Sequence, residues 1–152
     1  MKKKKFTKIR ENITEVEYQK LLTYLNGKED LTTNTKNNLR RTFILLYFTG
    51  MRVNEVKQLK VKDINTIFEK EELIIVTHKT RKERKLFFSK EAIKQIKKHF
   101  VFNDNSKDED FIITTKGNTS KTPNSSTFIA KVNSFIQEVL GHRYSSHSFR
   151  AG

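Results

Sequence analysis

Apolar residues recur at helical intervals along much of this chain and give way to β-prone runs near its middle. Tyr18, Leu21, Leu22 and Leu25 fall on one helical face. Thr14 with Glu17 three residues on forms a capping box that opens this helix, and Gly27 is its expected stop. Asp30 to Asn38 is polar and reads as a loop. The stretch from Leu39 to Thr49 is nearly all apolar through Phe43-Ile44-Leu45-Leu46-Tyr47-Phe48, which predicts a helix buried on more than one side. Gly50 is its natural terminator, because it adopts a left-handed conformation without a Cβ clash. A short third helix follows, with Val53, Val56 and Leu59 toward the core.

Leu73-Ile74-Ile75-Val76-Thr77 and Lys85-Leu86-Phe87-Phe88 flank a polar, basic stretch and predict an antiparallel hairpin. Val61 to Ile67 is expected to add a third strand. Ser89 caps a helix running through Ile93, Ile96 and Phe100. Phe111-Ile112-Ile113 reads as a short extended piece between two loops, 103–110 and 117–126, the second holding the single proline, Pro123. Phe128, Val132, Phe135, Ile136, Val139 and Leu140 mark another helix, ended by Gly141. A further helix is expected to begin after Ser146. The pattern predicts an α+β fold, mostly helical, with helices around a small three-stranded antiparallel sheet. Residues 1–13 read as a basic linker or frayed end, and 14–152 as one domain.

Composition narrows the partner. The 152 residues carry a net charge of +14, which favours a polyanion because neutralised phosphates release their condensed counterions. No apolar run approaches the roughly 20 residues of a membrane-spanning helix, and the lysine-rich start lacks the apolar stretch of a secretory signal. The absence of cysteine excludes disulfides and thiolate metal sites. His78, His99 and His142 form no paired metal-ligand spacing, and Asp108-Glu109-Asp110 reads as a solvated run.

Three stretches carry chemistry. The first is Thr49-Gly50-Met51-Arg52-Val53-Asn54-Glu55-Val56, followed by Leu59 and Asp63-Ile64. Arg52 follows the glycine stop, where a rigid guanidinium matches two oxygens of a phosphate. The second is His78-Lys79-Thr80-Arg81-Lys82-Glu83-Arg84, in which Lys79 lies in the hairpin turn as a flexible cation and proton donor. The third is His147-Ser148-Phe149-Arg150, whose imidazole and guanidinium share one face of a helical turn and suit proton handling beside a clamped anion. Each also has a plain structural reading: a surface arginine, a helix-surface Glu55, a satisfied histidine, one lysine among 31 basic residues.

In this order the stretches resemble the catalytic domain of the tyrosine recombinases, the group of phage integrases and Xer-type resolvases. The resemblance runs from about Thr14 to Gly152. It implies that Arg52, Lys79, His147 and Arg150 are catalytic, that Glu55 supports Arg52, and that His78, Arg81 and Lys82 contact DNA, with Arg81 and Lys82 as near competitors for the lysine's role. It implies metal-free, cofactor-free cleavage and rejoining of double-stranded DNA through a 3′-phosphotyrosyl link, by a homotetramer on DNA in the nucleoid of the cytoplasm. The family's tyrosine lies downstream of the His-x-x-Arg box. The expectation is therefore that this chain lacks the nucleophile and the N-terminal clamping domain, and binds DNA as a monomer without cutting it. Tyr144 is the one tyrosine here that tempts as a nucleophile. The rival reading is a recombinase-derived remnant or regulator that occupies DNA without chemistry.

Overall fold

The computed structural model describes residues 12–77, 80–102, 105–115 and 118–149. The first helix, α1 (Glu15–Gly27), opens as expected. The Thr14 amide donates to the Glu17 carboxylate at 2.9 Å, and Tyr18, Leu21, Leu22 and Leu25 are buried. Ile13, just before it, is also buried and donates its N–H to the Ser148 carbonyl at 3.2 Å.

Helix α2 (Thr33–Thr49) starts well before its apolar run, inside the stretch expected to be a loop. The Thr32 hydroxyl accepts from the Thr35 amide at 3.1 Å and so starts the helix. The polar first turns are then consumed by pairing. Asn38 donates to the Thr114 carbonyl at 2.8 Å and accepts from its amide at 3.1 Å, while Asn34 adds a second bond to that carbonyl at 3.1 Å. Farther along, Phe43, Ile44, Leu45 and Leu46 are fully buried. Helix α2 is thus the central rod, packed against α1, the short α3 (Val53–Lys57) and α5 (Lys90–His99).

The expected third strand is a helix, α4 (Val61–Lys70). Val61, Ile64 and Ile67 are its buried residues, a three-residue spacing that makes a helical stripe and no strand face. Its start is pinned from both directions: Asp63 accepts from the Lys60 amide at 2.8 Å, and the Val61 and Lys62 amides donate to the Asp110 and Asp108 carbonyls at 2.8 and 3.1 Å. The sheet therefore has two strands among the described residues, β1 (Glu72–Val76) and β2 (Glu83–Phe87), antiparallel with Leu73 opposite Leu86 and Ile75 opposite Arg84. Phe111 contributes one bridge, to Lys60. In the acidic run there Asp108 and Glu109 are exposed, but Glu109 pairs with Lys60 and Lys62 at 2.8 Å each.

Helix α5 is capped by Ser89, whose hydroxyl accepts from the Ala92 amide at 3.1 Å. Helix α6 (Ser125–Leu140) is capped by Asn124 and packs on α1, where Glu138 accepts from Tyr24 at 2.5 Å and Lys28 at 3.1 Å. A 3-10 turn (Ser146–Phe149) stands where the last helix was expected to begin. No described helix is long and apolar enough to cross a membrane. The molecule is mostly helical with a small antiparallel sheet, as the pattern predicts.

Candidate active site

The end of α2 is built to turn the chain sharply. The Thr49 hydroxyl donates back to the Leu45 carbonyl at 2.5 Å and accepts from the Met51 amide at 3.0 Å. Gly50 adopts φ 70°, ψ 19°, the left-handed geometry that a Cβ disfavours. The turn buries Met51 and leaves Arg52 exposed at the N-cap of α3. The backbone of Arg52 is held on both sides. Its amide donates to Glu55 Oε1 at 2.9 Å, and its carbonyl accepts from the Glu55 and Val56 amides at 2.9 and 3.1 Å. A fixed backbone beneath an exposed guanidinium is the local product of the Thr-Gly-x-Arg-x-x-Glu spacing.

Glu55 is 3% exposed, and its charge is answered across the structure by Arg84 of β2, with Nη2 at 3.9 Å from Oε1. The hairpin is thereby tied to the Arg52 turn. Its tip is closed by Thr77, which donates its amide to the Lys82 carbonyl at 2.8 Å and accepts from the Arg81 amide at 2.9 Å. Arg81, at φ 55°, and Lys82 are exposed there. His78 and Lys79 lie outside the described residues.

The third stretch is organised by serines. The Ser146 amide donates to Asn133 Oδ1 at 2.8 Å, and the Ser145 amide to the Ser148 hydroxyl at 3.1 Å. Phe149 is buried against Phe43, with ring centroids 6.2 Å apart, and His147 is exposed. Arg150 lies outside the described residues.

All three stretches contribute wall to one open basin of about 890 Å³. Thr49 and Gly50 come from the first, Arg84 from the second with Leu86 behind it on the same strand, and Phe149 from the third. The Arg52, Arg81, Lys82 and His147 side chains are not among the lining residues. Arg84 belongs to the second stretch, and the sequence gives it no role of its own. In the hairpin it stands opposite the inward-facing Ile75, and a basic residue on the inner face of a strand calls for a partner.

The order of the boxes on this framework agrees with a comparison against family models: residues 11–152 match that of the phage integrase family. The chain belongs to the phage integrase family. Among solved structures it is similar to a XerA recombinase (15% identity, TM-score 0.62, covering 99% of this chain and 50% of the other). It is also similar to a XerH site-specific recombinase bound to its difH substrate before cleavage (20%, 0.61, 97% and 42%) and to a lambda integrase dimer bound to a COC′ core site (20%, 0.56, 98% and 40%). The chain spans about half or less of those structures, and at these identities the likeness is one of fold. None of the curated proteins matches its sequence. The fold of recombinase catalytic domains and the integrase lineage stand on these matches.

Proposed function

We propose that this chain is the DNA-acting part of a tyrosine recombinase, binding double-stranded DNA and contributing Arg52, Lys79, His147 and Arg150 to one phosphoryl-transfer centre. The observation that carries the proposal is the basin, to which the arginine, hairpin and His-x-x-Arg stretches all lend wall although they lie far apart in sequence. Arg52 and Arg150 neutralise the non-bridging oxygens as the pentacoordinate transition state forms, which is preorganised electrostatic stabilisation. Lys79 gives a proton to the leaving 5′ oxygen, and His147 assists at the nucleophile or bonds the phosphate. Glu55 acts through Arg52 by holding its amide. His78, Arg81 and Lys82 meet the DNA backbone around the hairpin.

The nucleophile in this reading is a tyrosine other than the four of this chain. Tyr18 and Tyr47 are stacked on each other at 4.1 Å, and burial pushes both phenols up, which withholds the phenolate. Tyr24 spends its hydroxyl on Glu138. Tyr144 packs partly buried against the core. The chain alone is therefore proposed to bind and not cut; the intact enzyme works as a tetramer on nucleoid DNA.

The test is a nicked suicide duplex. The intact enzyme forms a covalent protein–DNA adduct, Lys79→Ala loses it, and a substrate with a better 5′ leaving group restores it. Lack of rescue moves the acid to Lys82 or Arg81. An adduct formed by this chain itself and lost in Tyr144→Phe overturns the assignment of the nucleophile.

A further inference from the structure

We infer that Arg84 is a phosphate-binding residue, holding one backbone phosphate of duplex DNA in the basin; this rests on the DNA-acting reading above. The guanidinium is half-buried, with a side chain 34% exposed, and among the described residues it makes no hydrogen bond. Among the described residues its Nε is shielded from solvent without a partner, and its ionic neighbour there, Glu55, is at 3.9 Å, beyond hydrogen-bond reach. A buried N–H donor without an acceptor carries an energetic penalty, which an incoming acceptor would relieve. Glu55 offsets part of the charge and none of the hydrogen bonding.

The remaining edge faces a basin large enough for a phosphodiester, walled by Thr49, Gly50, Leu86 and Phe149. An arginine fork presents two parallel N–H groups to two phosphate oxygens, a geometry that lysine does not reproduce. Glu15 is the one acidic residue among those lining the basin, and it is exposed at the α1 end, which directs an anion toward the β2 side. The net charge of +14 supplies the long-range attraction that brings a polyanion to this face. Arg84 thus serves two anions at once, the buried carboxylate under Arg52 and a phosphate from outside, and it couples DNA contact at the hairpin to the position of Arg52.

The experiment measures affinity of the chain for a fluorescent duplex of about 30 base pairs between 50 and 200 mM KCl. One phosphate contact contributes about 0.9 to the slope of log K against log salt. Arg84→Gln is expected to lower the slope by that amount, so that its loss of affinity across the range is about 3-fold smaller than that of the wild type. Arg84→Lys keeps the wild-type slope while binding more weakly. Should Arg84→Gln not fold, R84M/E55Q removes both charges together, leaves no orphaned carboxylate, and is expected to show the same lowered slope. A steep wild-type slope left unchanged in these variants overturns the inference alone. A wild-type chain with no affinity for duplex DNA overturns the DNA-acting reading and the inference with it.

Discussion

A side chain as enclosed as that of Glu55 needs partners for its oxygens. The Arg52 amide and Arg84 meet them, so Glu55→Ala is expected to cost about 2 kcal/mol through the lost cap and the orphaned amide. Glu55→Gln should cost about half that, since its amide oxygen still accepts; urea denaturation of both variants gives the comparison. Lys57 presents the opposite case. It is 6% exposed, its Nζ donates to the Ser125 hydroxyl at 2.8 Å, and burial holds its ammonium below the usual lysine value. The unfolded chain therefore keeps this proton to higher pH than the native one, so the burden of the buried charge is full at neutral pH, fades as pH rises from the lowered native value, and is gone above the unfolded value of about 10.5. Lys57→Met should raise the melting temperature at pH 7, and its advantage over wild type should shrink as pH approaches 11. At this scale the sequence was informative wherever a spacing had one use. Arg52 and Glu55 three apart after a glycine are such a spacing; Arg84 is not, because its meaning depends on a carboxylate 29 positions earlier that only the fold brings near.

Among the elements, the α2–α3 turn holds the site in place. Gly50→Ala forces a Cβ into the left-handed region and should cost about 1–2 kcal/mol, with nothing near the added methyl to compensate or clash further. Thermal melting measures it, and an unchanged midpoint would mean that the turn relaxes to another geometry. The helices, their caps and the hairpin were legible because each has its own periodicity and end signals. The segment from Val61 to Ile67 was not. Its three β-branched apolar residues suggest a strand by type, whereas their spacing and the Lys60–Asp63 cap favour a helix. The start of α2 was likewise hidden, because its asparagines read as loop residues until Thr114, far along the chain, arrives to pair with them.

For the molecule as a whole, charge and fold give complementary information. A net charge of +14 predicts duplex binding whose affinity falls by orders of magnitude between 50 and 200 mM salt if six or more phosphates are engaged. On the proposed DNA-acting reading, structured RNA at matched salt should bind no better than duplex DNA. The ordered boxes made the family legible, but their meeting at one basin was beyond a linear reading, since it depends on β2 docking Arg84 against the α3 turn and on Phe149 packing under α2. In the proposed mechanism Arg52 works by neutralising charge on the phosphate under attack. In the intact enzyme, Arg52→Ala should cut a normal diester at least 10²–10³-fold more slowly while retaining most of its DNA affinity. The decisive measurement is cleavage by this variant of a duplex whose scissile phosphate is an uncharged methylphosphonate. Recovery of cleavage on the neutral linkage is the predicted result; near-normal cleavage of the diester, or no recovery on the methylphosphonate, would contradict it.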